Sequence, residues 1–170
     1  VISQETFLFN DTVFNNIAFG RPEASLKDVK EAAQRAEAAA FIDSLPKGYD
    51  TELGDRGVRL SGGQRQRIAL SRVLHIKPDL LILDEATSSL DAETEAAIME
   101  SIHGLRGDHT IVVIAHRWST IRGADNIVVL DHGEKVEEGT HETLISRRGR
   151  YYSLVQTQIS DEFVPAEKGP

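Results

Sequence analysis

The feature of the sequence that most limits its possible folds is the run Leu80 to Leu83, which ends in Asp84 and Glu85. Four consecutive large aliphatic residues predict a short strand buried on both faces, as in a parallel sheet. Two adjacent carboxylates resist burial unless a cationic group lies near them. Ligands of open α/β sheets bind at the carboxyl ends of strands. The pair therefore predicts either a site that holds a metal ion and activates water or an acidic, solvated loop.

A second apolar strand is predicted at residues 110–115, directly before His116. The segment between the two strands has the pattern of a helix with Asp91 as its N-cap. A strand, a helix and a strand in this order form a parallel, right-handed unit. Neighbouring parallel strands end at the same sheet edge, so we expect Asp84, Glu85 and His116 to converge there. A histidine beside a carboxylate pair is suited to contact a γ-phosphate, whereas a lone histidine after a strand is more often structural.

A third candidate feature is the helix that begins after Ser61, with Gly62 and Gly63 in its first turn and Gln64 at the capping-box position. Each glycine costs up to ~1 kcal/mol relative to alanine, so a purely structural cap gains nothing from them. Without a Cβ, the unpaired N–H groups become accessible to a ligand, and the helix dipole favours an anion. The pattern predicts a phosphate-binding helix start, and the alternative is an ordinary capped helix.

The region before this helix is predicted to be helical. Residues 25–40 have apolar positions at helical spacing behind a capping box of Ser25 and Asp28, which predicts one continuous helix. Shorter helices are expected near residues 13–17 and 41–45. The adjacent apolar residues Phe7 to Phe9 cannot all face one core, so they either tuck against it or meet a partner.

The rest of the chain is predicted to end in a disordered tail. A hairpin at an exposed sheet edge is expected at residues 126–138, and a helix capped by Thr140 and interrupted by Gly149 follows it. From Ile159 onward the composition is polar, which predicts a disordered tail at residues 159–170.

Composition removes several classes of function. The chain has 19 basic and 27 acidic residues and a net charge of −8, which argues against non-specific binding to nucleic acid, because such binding needs a basic face. It has no cysteine, which excludes disulfides and thiolate metal sites. The sequence contains no signal peptide and no apolar run long enough to span a membrane.

Five motifs in order resemble those of ATP-binding cassette (ABC) ATPases, specifically the nucleotide-binding domains of exporters. The resemblance covers residues 1 to about 158, nearly the whole chain. The motifs are the Q-loop glutamine Gln4, the signature Leu60–Gln64, the Walker B strand Leu80–Glu85, the D-loop Ser89–Asp91 and the switch histidine His116.

The resemblance implies an α/β fold with a P-loop NTPase-like parallel sheet and an α-helical subdomain. The helical subdomain would occupy residues from about 11 to 75, and the Walker B, D-loop and switch-histidine part residues 76–158. The phosphate loop Gly-x-x-x-x-Gly-Lys-Ser/Thr does not occur in the sequence. The adenine-stacking aromatic residue of the family also has no counterpart, so the domain is expected to be incomplete at its N-terminus.

The resemblance also implies chemical roles within one subunit. Glu85 would polarise the attacking water, and His116 would contact the γ-phosphate of ATP. Asp84 would hold Mg²⁺, and Gln4 would sense that ion and the water. These parts supply the positioning and charge stabilisation that phosphoryl transfer requires.

Other residues are implied to act between subunits. Ser61, Gly62, Gly63 and Gln64 would bind the ATP that the opposite nucleotide-binding domain holds, and Asp91 would work across the same dimer interface. The region Gln4–Phe9 would contact the transmembrane domain of the transporter, which places the chain at the cytoplasmic face of the membrane.

Three functions remain open from the sequence. The first is ATP hydrolysis that powers transmembrane transport in the full-length protein, with the isolated chain inactive because it lacks the phosphate loop. The second is a truncated, non-hydrolysing chain that only binds a partner subunit. The third is a soluble family member serving DNA repair or translation, which the acidic composition and the lack of a coiled-coil insertion disfavour.

Overall fold

A computed structural model describes residues 1–3, 6–21, 23–54, 57, 60–87, 90–104, 109–115 and 117–163, the last range with the backbone alone at 118, 119 and 159–163. Two compact units are present, residues 1–114 and 115–170. The helices of the first unit are α1 Val13–Ala18, α2 Leu26–Arg35, α3 Ala39–Asp43, α4 Gly62–Ile76 and α5 Ala92–His103, and its strands are β1 Leu80–Asp84 and β2 Thr110–Ile114. The second unit contains α6 Trp118–Ile121, β3 Ile127–Asp131, β4 Glu134–Gly139, α7 His141–Arg147 and α8 Arg150–Phe163.

The helix starts predicted from the sequence are confirmed at α1 and α2. The Thr12 side chain caps α1 by accepting a hydrogen bond from the Asn15 N–H at 3.1 Å. Ser25 and Asp28 form the complete capping box of α2. Each cap satisfies backbone donors that have no partner inside the helix.

The single helix predicted for residues 25–40 is wrong, because α2 ends at Arg35 and α3 begins only at Ala39. The break is a Schellman closure, in which the Ala38 N–H donates to the Ala33 carbonyl at 2.8 Å. Glu37 adopts the left-handed conformation at φ 53°, a position that glycine usually occupies. Because no glycine stands here, the sequence pattern gave no sign of the break.

The core of the first unit lies among helices that approach closely. Helix α4 packs against α1 and α2, and α2 contributes the buried small residues Ala32 and Ala33 to that contact region. Among the residues that the structure describes, no helix has the length and apolarity that crossing a membrane requires.

The predicted parallel pairing of β1 with β2 is confirmed, and its register runs from Leu80 opposite Thr110 to Asp84 opposite Ile114. Burial on both faces of β1 is wrong, because Leu81 is buried whereas Leu80 is 51% exposed. The reason is that one face of β1, with Leu81 and Leu83, packs into the core cluster, whereas Leu80 on the other face does not.

In the second unit, β3 and β4 form the expected antiparallel hairpin. The two turn residues, His132 and Gly133, have positive φ values of 49° and 81°, as tight hairpin turns require. Helix α8 continues to Phe163, so residues 159–163 are helical where a disordered tail was predicted. Residues 164–170 lie outside the described part of the chain.

A carboxyl group from β4 caps the start of α8. The Tyr151 N–H donates to Glu137 Oε2 at 2.6 Å, and the Glu137 carboxyl group occupies the space that a Cβ on Gly149 would fill. The glycine that interrupts the C-terminal helices is therefore required by a close approach between an acidic side chain and the backbone.

Gly149→Ala is expected to lower the free energy of unfolding by about 1–3 kcal/mol, because the new methyl group displaces the Glu137 carboxyl group from its cap. Urea unfolding of the purified protein measures this change. The matched control is Gly104→Ala, at a residue with φ −64° where a Cβ meets the Ser101 and Glu100 carbonyls at the ordinary distances of 3.4 and 3.7 Å. Equal stability of the two variants would contradict the argument.

Candidate functional site

The adjacent carboxylates lie where three parallel segments end. The Asp84 N–H donates to the Ile2 carbonyl at 2.8 Å on one side of β1, and the Glu85 N–H donates to the Ile114 carbonyl at 2.9 Å on the other. Both acidic residues are half-buried. The carboxyl ends of the strands therefore place the pair at the edge where α/β sheets bind ligands.

Glu85 has an uncommon backbone conformation. Its φ of 49° lies in the left-handed region, which costs a residue with a Cβ about 1–2 kcal/mol. Such a conformation persists only where the surrounding structure determines it, and the hydrogen bond from Glu85 to Ile114 is one such determinant. The backbone therefore changes direction at Glu85, the residue predicted to activate water.

Two of the predicted site residues cannot be placed at this edge. Gln4 and His116 lie outside the described residues. Their neighbours Ser3 and Ala115 are described, and each follows one of the segments that flank β1. The structure places Asp84 and Glu85 at the edge, whereas their convergence with His116 and the contribution of Gln4 remain predictions.

The helix start at Ser61 has the predicted capping box. The Gln64 N–H donates to Ser61 Oγ at 3.2 Å, and the Ser61 N–H donates to Gln64 Oε1 at 3.0 Å. The Ser61 hydroxyl hydrogen remains available as a donor because its oxygen acts as the acceptor. The amides of Gly62 and Gly63 have no hydrogen-bond partner among the residues that the structure describes. Three donors are thus present at the positive end of a 15-residue helix, which is the chemistry that binds an anion.

Asp91 is the N-cap of α5 in the structure. Its carboxylate accepts from the Thr94 N–H at 2.9 Å and from the Thr94 hydroxyl at 2.8 Å. These two bonds, the backbone one first, lower the pKa of Asp91, and the charge of Arg67 on α4 adds to the effect. The carboxylate that was predicted to act across a dimer interface therefore also has a local structural partner.

The helix start and the carboxylate pair belong to different parts of the first unit. Helix α4 packs on α1 and α2, whereas Asp84 and Glu85 bond to the segments that flank β1. The predicted site residues consequently form two separate groups of opposite character: one offers hydrogen-bond donors, and the other offers carboxylates.

The carboxylates of Asp84 and Glu85 suit Mg²⁺, which substrate phosphates help to bind, better than a metal ion bound by protein side chains alone. Among the described residues, no cluster of three or more His, Cys, Asp or Glu side chains is arranged to bind a metal ion. Mg²⁺ is commonly held by one or two carboxylates together with substrate phosphates. Asp84, at the end of β1, offers one carboxylate of this kind.

An aromatic cluster at the surface was only partly predicted. Phe9 stacks on Phe19 with ring centroids 4.5 Å apart and meets Phe7 edge-on at 5.1 Å. Phe7 and Phe19 are 58% and 52% exposed. The sequence analysis singled out Phe7–Phe9 but missed Phe19, which stands in the turn after α1.

Arg72 organises this cluster from α4. Its guanidinium donates to the Asn16 carbonyl at 2.7 Å, to Asn16 Oδ1 at 3.0 Å and to the Phe7 carbonyl at 3.1 Å. The same group lies over the rings of Phe9 and Phe19, at 5.2 and 5.7 Å from their centroids. Burial lowers the pKa of Arg72. In the sequence, Arg72 is a basic residue within an apolar helical run, and the sequence analysis did not identify it as important.

The family model described as ABC transporter matches residues 1–88. The ATP-dependent lipid A-core flippase of Syntrophus aciditrophicus (strain SB) is 54% identical over 169 residues, which are 99% of this chain and 28% of that protein. A putative multidrug export ATP-binding/permease protein of Staphylococcus aureus (strain NCTC 8325 / PS 47) is 51% identical over 158 residues, 93% of this chain and 27% of that protein.

Among solved structures, a bacterial Atm1-family ABC exporter with ATP bound aligns with a TM-score of 0.87 and 46% identity, over 92% of this chain and 28% of that one. This match confirms the P-loop NTPase-like α/β fold expected from the sequence. The chain spans little more than a quarter of the length of these relatives.

Arg72→Lys is expected to lower the free energy of unfolding by about 1–3 kcal/mol, because one ammonium group cannot satisfy the acceptors that the guanidinium fork serves. Urea unfolding measures the change. Arg21→Lys, at an exposed arginine in the same unit, is the matched control and should stay near the wild-type value. A loss shared equally by both variants would remove the special role of Arg72.

Proposed function

The chain belongs to the ABC transporter family, and on this premise we propose that it forms part of a nucleotide-binding domain that hydrolyses ATP to drive export across a membrane. The observation that carries the proposal is the placement of Asp84 and Glu85 at an edge shared by three parallel segments. That edge presents carboxylates where a hydrolytic site needs them. The relatives named as a flippase and an export permease are consistent with this function.

In the proposed mechanism, Glu85 polarises the water that attacks the γ-phosphate of ATP. Its left-handed backbone directs the chain away from β1 at this residue, and its half-burial limits competing solvation. Asp84 would hold Mg²⁺, which neutralises charge on the phosphates when it is bound. His116 would contact the γ-phosphate, and Gln4 would sense the metal and the water.

The donor group at the start of α4 would serve a second nucleotide-binding domain. Ser61, Gly62 and Gly63 offer donors to a phosphate, and Gln64 fixes the orientation of Ser61 through the capping box. Because these donors and the carboxylates occupy separate parts of the unit, ATP would lie between two domains, with Asp91 at the same interface. In this arrangement, the helical subdomain at about 11–75 would carry the donors, and the catalytic part at 76–158 would carry the carboxylates.

The partner in the membrane would contact the region Gln4–Phe9. Phe7 within this region and Phe19 beside it expose aromatic surface, and exposed apolar patches mark sites of interaction. We extend the proposed contact surface to Phe19, because its ring stacks directly on Phe9. The chain would then act at the cytoplasmic face of the membrane.

Glu85→Gln in the full-length transporter is expected to lower the rate of ATP hydrolysis by about 10²–10⁴-fold, because the amide cannot accept a proton from water. Binding of ATP should persist, since the substitution preserves shape. Hydrolysis and nucleotide retention are measured on the purified protein. Glu93→Gln, at an exposed glutamate of α5, is the control. Undiminished turnover in Glu85→Gln would remove Glu85 from this role.

Residues 1–170 by themselves are expected to bind ATP weakly and not to hydrolyse it, because the sequence contains no Gly-x-x-x-x-Gly-Lys-Ser/Thr loop. Titration of this chain with ATP, followed by a hydrolysis assay, tests the expectation. The full-length protein, treated identically, provides the positive control. Tight binding by the 170-residue chain would contradict the proposal that its cradle for the nucleotide is missing.

A further inference from the structure

The segment between Glu85 and α5 is closed by a buried polar pair. The Thr87 hydroxyl donates to Glu95 Oε1 at 3.0 Å, and the two residues are only 8% and 6% exposed. Thr87 follows Glu85 by two positions, and Glu95 lies on the first turns of α5. The hydrogen bond therefore connects the segment after β1 with helix α5, which Asp91 caps.

Capping of the helix does not explain this pair. Asp91 and Thr94 already cap α5, so the buried carboxyl group of Glu95 is not needed for that purpose. Burying such a group carries a desolvation cost, which an apolar side chain at the same position would avoid. Because an apolar pair would fill the same space without this cost, we looked for a functional reason for the Thr87–Glu95 pair.

Thr87 is held by its main chain as well as by its side chain. The Leu90 N–H donates to the Thr87 carbonyl at 3.0 Å, and the neighbouring Ala86 and Leu90 are buried. The position of Thr87 is consequently determined from both directions along the chain. The nearby left-handed backbone of Glu85 is a conformation that needs such surrounding support.

We propose that Glu95 is a positioning residue for the hydrolysis site, which acts through Thr87 to fix the backbone that carries Glu85 and Asp91. This inference rests on the proposed function. Asp91 precedes Glu95 by one turn of α5, so one hydrogen bond connects the elements that bear both site residues. A misplacement of about 1 Å can cost about 10²-fold in rate, so a small shift of Glu85 has a measurable effect.

The test compares Thr87→Val, which removes the hydroxyl at nearly constant shape, with Thr87→Ser, which keeps it. In the full-length transporter, Thr87→Val is expected to lower kcat for ATP hydrolysis by about 10–100-fold with KM nearly unchanged, whereas Thr87→Ser stays close to wild type. Glu95→Met should resemble Thr87→Val. Glu100→Gln, an exposed glutamate on the same helix, should have no effect on kcat.

A double variant separates positioning from stability. Each single variant removes one group of a buried hydrogen bond, whereas Thr87→Val combined with Glu95→Met removes both groups and should recover much of the lost stability. The proposal expects kcat to stay low in this folded double variant. Amide hydrogen exchange at Leu90 should increase in Thr87→Val but not in Thr87→Ser.

The possible results distinguish a failure of the positioning role from a failure of the proposed function. Wild-type kcat in Thr87→Val, equal losses in Thr87→Val and Thr87→Ser, or full recovery of kcat in the double variant would overturn the positioning role while leaving the proposed function intact. A wild-type transporter that does not hydrolyse ATP would overturn the proposed function and this inference together.

Discussion

The candidate site depends on two backbone hydrogen bonds at the end of β1. Asp84 bonds to Ile2 and Glu85 bonds to Ile114, so the two flanking segments fix the ends of the carboxylate pair from opposite sides. These bonds are independent of side-chain identity, which means that the parallel pairing itself positions the acidic residues. The acidic character of this edge then depends on the two carboxylates, Asp84 and Glu85, that the sequence has at the end of the strand.

A second constraint joins the signature helix to the aromatic surface. Arg72 satisfies acceptors on Asn16 and Phe7, and it also lies against the rings of Phe9 and Phe19. The Phe9 N–H in turn donates to Asn16 Oδ1 at 2.8 Å. A single half-buried cation thus holds the segment after Gln4, the end of α1 and the C-terminal part of α4 in one arrangement, and this arrangement includes the exposed aromatic surface.

The sequence was sufficient wherever a local pattern determines the structure. The capping boxes at Ser25 and Ser61 and the turn at Gly133 depend on neighbouring residues, and the parallel pairing of β1 with β2 follows from the order strand, helix, strand; all were predicted. The break at Glu37 was not predicted, because a non-glycine residue adopts a conformation that its type disfavours. The Arg72 cluster and the bond from Thr87 to Glu95 join distant or buried groups whose contact depends on tertiary packing, so spacing alone contains no sign of them.

The length of α4 has a mechanical consequence. Its 15 residues form one uninterrupted helix, and Arg72 stands about 16 Å along the axis from Ser61. A helix of this length is stiff, so a displacement of its first turn, at Gly62 and Gly63, would be transmitted to Arg72 almost undiminished. The aromatic surface and the donors at the start of α4 therefore belong to one rigid element.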